Sequence, residues 1–328
     1  MLYSAIMKYS RTGFWLVLSF LVFAVASYPG SAVAASISIK NETSKTLVAS
    51  AEDKLPEATV NLYCRVKVGN KEVSVTGTGV VIDARGVILT NAHVAQYFLL
   101  NGKDSKLSAN CTVRAGSPAK DRYVAEVLYI SKEWLSQNTE KSVKASAKGT
   151  GEHDYALLYV TKAKRGNLPA QFPIVPLGLA TLVNKGGEVT VGGYPAGSLK
   201  YKDVRNKLKL LTATTTITSL QTFGAQTTDL ITLSRSKIAS YGVSGGPVTS
   251  SGQVIGIVAT MSTSKGTDEG SSLRAITLSY INRAVMDETG LSLTALYSGD
   301  LTTRAALTGA SIATDTLAAI ERPLRTSR

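Results

Sequence analysis

The chain has 328 residues, a formal net charge of +13, 44% hydrophobic and 18% charged residues, and 28 glycines. This balance excludes wholesale disorder and suits a globular chain rich in turns, with β-structure expected ahead of helix. The length exceeds the roughly 100 to 200 residues typical of one domain, so one large core or two small ones can be buried.

Lys8 and Arg11 precede an apolar run from Phe14 to Ala26 broken only by Ser19, and Tyr28-Pro29-Gly30 leads into the small residues Ser31 to Ala35. That order predicts a secretory signal peptide over residues 1–34, cleaved after Ala34, and hence an exported, periplasmic or extracellular protein. An uncleaved anchor is the alternative, although the run is shorter than the roughly 20 residues a bilayer requires. Cleavage removes Lys8 and Arg11 and no acid, which lowers the formal charge from +13 to +11.

Residues 35–57 read as a polar lead-in without visible chemistry. From Ala58, short β-rich runs are broken by turns: Thr59 to Val68, Val73 to Ile82, Val87 to Thr90, Cys111 to Ala115, Tyr123 to Ile130 and Tyr155 to Val160. A second group begins near Ile174 and continues with Glu188 to Gly192, Leu208 to Ser219, Leu230 to Leu233, Gly246 to Thr249 and Val254 to Met261. This spacing points to an all-β barrel or sandwich rather than alternating β and α units. The expected modules are 58–165 and 166–295, joined by a surface crossover over Lys162 to Pro176.

Ser136 to Gly151 and Ser262 to Ser272 read as exposed loops. Ser279 is expected to cap a short helix through Glu288, with Gly290 ending it. For the Ala/Thr-rich tail, 296–328, a helix, a disordered extension and a docking segment all remain open.

Cys64 and Cys111 are the only cysteines. In an oxidising compartment one bridge is the simplest pairing, with two separate buried thiols as the alternative. Positive charge gathers at Lys200, Lys202, Arg205, Lys207 and Lys209, and again at Lys162, Lys164 and Arg165. The bland reading is a solvated face; the sharper one is a surface for an anionic envelope or polymer. No aromatic interleaving accompanies the charge, so no specific nucleic acid is expected.

A neutral serine hydroxyl is a poor nucleophile and needs a base, a group that orients the base, and donors for the oxyanion. The chain has two histidines. His93 follows the apolar strand Gly86-Val87-Ile88-Leu89 within Thr90-Asn91-Ala92-His93-Val94, where a rigid strand end can present the imidazole. His153, beside Asp154, reads as a surface neighbour rather than a second base.

Ser244 lies in Gly242-Val243-Ser244-Gly245-Gly246-Pro247-Val248, whose glycines permit unusual backbone angles and leave the amides of Gly242 and Ser244 free to face one oxygen. Asp154 opens the apolar strand Tyr155-Ala156-Leu157-Leu158 and is the best-placed acid; Asp104 and Asp121 are alternatives. Two histidines and two distant cysteines give no compact metal spacing, and no cofactor is expected.

These segments resemble the chymotrypsin-like serine peptidase superfamily, and within it the HtrA-type trypsin-like peptidases. The resemblance spans about Ala58 to Thr289 and includes Thr76-Gly77-Thr78-Gly79-Val80-Val81-Ile82, Gly193-Tyr194-Pro195-x-Gly197, Val254-Ile255-Gly256-Ile257 and Ala275-Ile276. It implies two six-stranded antiparallel β-barrels with the cleft between them, His93 and Asp154 on the first and Ser244 on the second. It also implies a specificity pocket with Ile238 near its base and Ala259, Thr260 and Met261 along its wall, where no acidic residue stands.

Two features depart from the family. Val243 stands where trypsin-like enzymes commonly carry the aspartate that pairs with a newly cut N-terminus, so activation by that route is not expected. No PDZ-sized region follows residue 295, so PDZ-regulated oligomers are not inferred.

Gly242-x-Ser244-x-Gly246 also fits the nucleophile elbow of α/β-hydrolases, but such an enzyme needs a histidine after its serine. Neither histidine here follows Ser244. The expected activity is serine endopeptidase on protein or peptide substrates, with a serine esterase and a catalytically silent binding module as alternatives.

Overall fold

The computed structural model describes residues 54–101, 107–141, 150–224, 226–261 and 271–312. The signal peptide, most of the lead-in, Asp104, parts of both expected loops and the last sixteen residues of the tail lie outside them.

A one-turn helix, α1 (Leu55–Ala58), leads into β1 (Thr59–Val68), β2 (Lys71–Asp83) and β3 (Val87–Thr90). Next come α2 (Ala92–Ala95), a 3-10 turn (Gln96–Leu100), β4 (Leu107–Ala115), β5 (Lys120–Ile130), α3 (Lys132–Lys141) and β6 (Ala156–Ala163). These six strands close a barrel in the order β1-β2-β3-β6-β5-β4, every pair antiparallel.

The second half contains β7 (Glu188–Gly193), α4 (Tyr201–Lys207), β8 (Leu211–Gln221), β9 (Leu230–Leu233), β10 (Pro247–Ser250), β11 (Gln253–Met261) and β12 (Leu273–Thr277). They close a second antiparallel barrel, β10-β11-β12-β9-β8-β7. The chain ends its described course in α5 (Leu278–Thr289) and α6 (Leu301–Ser311). Closure leaves no unpaired barrel edge among the described strands, and the inward side chains of each barrel fill its core.

The first barrel is packed with β-branched and leucine side chains, among them Val66, Val80, Ile88, Leu89, Val113 and Leu158, each buried to within 1% of full cover. Val189, Val191, Ile231, Leu233, Val248 and Ile255 play the same part in the second. Cys64 and Cys111 face each other across the β1–β4 ladder and are joined by a disulfide.

Helices account for most differences from the sequence reading. Part of the expected 136–151 loop is the end of α3, whose start is held by Ser131 Oγ accepting from the Trp134 amide. The lysine-rich run after Lys200 contains α4. Helix α5 is capped by Thr277, which accepts from the Tyr280 amide, rather than by Ser279; Gly290 ends it at φ 71° as expected.

The tail carries α6, seated on the first barrel through buried Leu301 and Ala305 and a bond from Thr308 Oγ1 to the Leu128 carbonyl (2.9 Å). The expected crossover is not wholly on the surface either. Phe172 and Val175 are buried, and their amides donate to Ala84 and Val81 of the first barrel.

Buried Arg114 explains the position of α4. Its guanidinium donates to the carbonyls of Val204, Arg205 and Ala119 and to Asn61 Oδ1 (3.2 Å), satisfying the free carbonyls at the end of a short helix. The Ala119 amide donates to Leu208 (2.8 Å). Ala119 stands next to exposed Lys120 of β5, and Leu208 stands between exposed Lys207 and Lys209; exposed Lys162 on β6 pairs with Val124 of β5.

Candidate active site

Two buried side chains tie the serine turn to the first barrel. Thr78 of β2 is fully buried; its amide donates to the Ser244 carbonyl (2.8 Å), and its carbonyl accepts from Thr90 Oγ1 (2.7 Å). Its hydroxyl donates to the Gly242 carbonyl (2.7 Å) and accepts from the Tyr194 amide (3.1 Å). Tyr194, also fully buried, donates its phenol toward the carbonyls of Thr59 (3.3 Å) and Gly116 (3.1 Å). Burial pushes that phenol up to about 12, so it stays a donor at ordinary pH.

His93 stands in α2, the turn that directly follows β3, and its ring is about one-third exposed. Asp154 begins the approach to β6, which pairs with β3 so that Thr90 lies opposite Ala156. That register brings the two residues together. Asp154 Oδ2 is 2.7 Å from His93 Nδ1, and Oδ1 accepts the His93 amide at 2.9 Å. Asn91 Nδ2 holds the Asp154 carbonyl (2.8 Å).

The carboxylate is buried and both its oxygens face the same histidine, so it fixes ring and backbone at once. Nδ1 donates to it, which leaves Nε2 as the acceptor of the neutral ring. Burial alone would lower the imidazole pKa, but the adjacent Asp154 charge and its hydrogen bond outweigh this and raise it above 6.5.

His153 is not a simple surface neighbour. It adopts φ 57°, its amide donates to Tyr280 Oη (3.1 Å), and its ring lies half-buried with Nδ1 3.7 Å from Glu288. This left-handed turn after Gly151 swings the chain so that Asp154, and not His153, faces His93.

Ser244 lies in a turn whose carbonyls are each held. The Tyr241 carbonyl accepts from Ala196 N–H (2.7 Å), Gly242 from Thr78 Oγ1, and Val243 from Gly246 N–H (2.8 Å). In a trans peptide the N–H points opposite to its C=O, so the amides of Gly242 and Ser244 face away from those partners. Among the described residues neither donates to a backbone carbonyl.

Gly242 (φ 95°) and Gly245 (φ 81°) occupy backbone space that side chains disfavour. A Cβ on Gly245 would strike the Thr78 carbonyl and Thr90 hydroxyl and lie 3.2 Å from the Asn91 amide. The residue after Ser244 is thus packed on the strand end that carries His93. Among the described residues, Ser244 Oγ and His93 Nε2 do not form a hydrogen bond, a contact that often tightens only around substrate.

The expected pocket residues fall on the second barrel. Ile238 is buried in its apolar cluster with Val243 and Val258, and partly buried Met261 packs against that cluster. A register shift between Val258 and Thr260 re-aims buried Ala259 toward the first barrel, 3.3 Å from where a Cβ on Gly151 would stand. Thr260 is half-buried with its Oγ1 unbonded. Asp121, an alternative acid in the sequence, is exposed and pairs with Arg114, away from His93. Among the described residues no cluster of three or more His, Cys, Asp or Glu side chains suits a metal ion.

The sequence marks Thr78, Tyr194 and Ala196 only through the segments that carry the resemblance. In the structure Thr78 and Tyr194 tie the serine turn to the first barrel, and Ala196 holds the Tyr241 carbonyl.

Two closed six-stranded barrels, with a histidine–aspartate pair on one and a glycine-set serine on the other, define the chymotrypsin-like serine peptidase arrangement. A family model described as trypsin-like peptidase domain matches residues 77–257, more than half of the chain, and the protein belongs to that family. No curated protein matches the sequence.

Proposed function

We propose that the protein is an exported serine endopeptidase in which Ser244 is the nucleophile, His93 the general base and Asp154 the residue that orients it. The observation that carries this reading is the two-point hold of Asp154 on His93 beside a serine turn with outward-facing amides.

As Ser244 Oγ attacks a peptide carbonyl, its proton passes to His93 Nε2 and the C=O electron pair moves to oxygen. The oxyanion accepts from the Gly242 and Ser244 amides, and Asp154 stabilises the imidazolium. His93 then gives the proton to the leaving nitrogen as the C–N bond breaks, leaving an ester on Ser244. Water repeats the sequence: it loses a proton to His93, adds to the ester, and the proton returns to Ser244 Oγ as the acid product departs.

Apolar Ile238 at the expected pocket base favours an uncharged, small to medium apolar side chain before the scissile bond. Export is supported by the disulfide and by the N-terminal segment. No helix among the described residues is long and apolar enough to cross a membrane.

Casein and a short-chain ester, each incubated with wild type and with Ser244→Ala, test the assignment. Casein cleavage lost in the variant is expected. Ester turnover without casein cleavage would make the protein an esterase, and inactivity on both would leave a binding module.

A further inference from the structure

The geometry points to Thr78 as a positioning residue for the serine turn: its hydroxyl holds the Gly242–Val243 peptide, the link between the two peptides that carry the Gly242 and Ser244 amides, so that both oxyanion donors are set before substrate arrives. The inference rests on the reading of Ser244 as nucleophile and adds a residue that touches neither substrate nor the reacting atoms.

Proton bookkeeping at Thr78 leaves one arrangement. The Gly242 carbonyl can only accept and the Tyr194 amide can only donate, so the hydroxyl proton lies toward Gly242. Gly242 is the flexible member of the turn, because a glycine at φ 95° meets little steric resistance to rotation. Its two flanking peptides are nonetheless both pinned. Ala196 N–H holds the Tyr241 carbonyl, and with it the direction of Gly242 N–H; Thr78 Oγ1 holds the Gly242 carbonyl.

Where Val243 replaces an aspartate, the side chain at that position has no charge with which to hold the turn. It is fully buried and packs against the Cα face of Gly193, 2.8 Å from where a Cβ would stand. The polar hold on the Gly242 carbonyl therefore comes from the first barrel, through Thr78, while Ala196 and Gly246 hold the Tyr241 and Val243 carbonyls. Because Thr78 O also receives Thr90 Oγ1, three residues before His93, base and oxyanion site are referenced to one residue.

Thr78→Val keeps the shape and removes the hydroxyl. Steady-state kinetics on a peptide ester should show kcat lower by about 10²-fold, as for loss of an oxyanion donor, with KM changed less than threefold. Thr78→Ser, which restores donor and acceptor, should return kcat to within threefold of wild type, and the pH dependence set by His93 should be the same in all three.

A Thr78→Val kcat within threefold of wild type would overturn the inference while leaving the peptidase reading intact. So would an equal loss in Thr78→Ser. Wild-type protein without turnover would remove the peptidase reading itself, and this inference with it. Should Thr78→Val fail to fold by near-ultraviolet circular dichroism, Thr78→Cys carries the same test. Its weak donor should give an intermediate kcat, and unchanged kcat would overturn the inference.

Discussion

Replacing Asp154 by Asn keeps the size of the side chain and reverses one hydrogen bond. Asn Oδ1 can still accept the His93 amide, now 2.9 Å from Asp154 Oδ1, so the backbone turn and the fold should persist. The other atom becomes an NH₂ facing Nδ1, 2.7 Å away in the native protein. It can only donate, so the neutral imidazole must carry its proton on Nε2, where it cannot accept one from Ser244. In an established triad this change lowers kcat about 10⁴-fold, which at about 1.4 kcal/mol per tenfold corresponds to about 5.5 kcal/mol of barrier.

The same substitution moves the pH profile. Burial pulls the His93 pKa down while Asp154 pulls it up, with the second effect dominant. In wild type the base form fills only above the raised value, so kcat/KM should rise through a midpoint above 6.5. In Asp154→Asn only the burial effect survives, and the midpoint should shift to lower pH. The assay is hydrolysis of a fluorogenic peptide between pH 5 and 9, with thermal unfolding as the check on fold. A loss of less than tenfold, or an unmoved midpoint, would refute the assignment of Asp154.

Other expectations follow from the same structure. Gly245→Ala should abolish turnover, because its Cβ has no room against Thr78 and Thr90; retained activity would mean that the turn does not sit on the His93 strand end. Replacing Cys64 and Cys111 by alanine opens a loop of 47 residues and should lower unfolding stability by about 4 kcal/mol in urea titrations. Asp229 is buried, and although burial raises its pKa, bonds from the Phe223 amide, Thr227, Thr222 and Arg283 lower it overall. Its contribution to stability is therefore complete above the unfolded carboxylate value of 3.8 and lost as pH falls through the lower folded value; Asp229→Asn should flatten that acid limb in unfolding curves. An anionic polymer is proposed as partner of the lysine-rich segment 200–209. Changing Lys200, Lys202, Lys207 and Lys209 to glutamine should lower the salt needed for elution from heparin-agarose more than changing Lys54, Lys67, Lys71 and Lys237 does.

Most strands are legible because they carry their own signal. Val87–Thr90 and Leu230–Leu233 are short apolar runs between turn residues, and both match the expected bounds. β12 does not stand out in the sequence beyond Ala275-Ile276, since a five-residue strand beside a polar loop has little pattern of its own. α4 was hidden for a different reason. A seven-residue lysine-rich helix has low stability alone and exists here because Arg114, some 90 residues earlier, reaches its last carbonyls. Thr277 beat Ser279 as the cap of α5 because β12 runs straight into the helix without a loop.

At the site, His93 and Ser244 were readable from their glycine and strand context, and Asp154 from the apolar strand it opens. Their approach was not, because it depends on the β3–β6 register and on Thr78 joining the barrels. Thr78 lies in a threonine–glycine run that reads as ordinary strand, and only the partner barrel gives its hydroxyl a task.

The central claim is that the Ser244 hydroxyl is activated by His93, and a fluorophosphonate probe followed by peptide mass mapping tests it most directly. The adduct should form on Ser244 in wild type, disappear in Ser244→Ala and form at least 10³-fold more slowly in His93→Ala. An adduct on another serine, or equal labelling rates with and without the imidazole, would contradict the account.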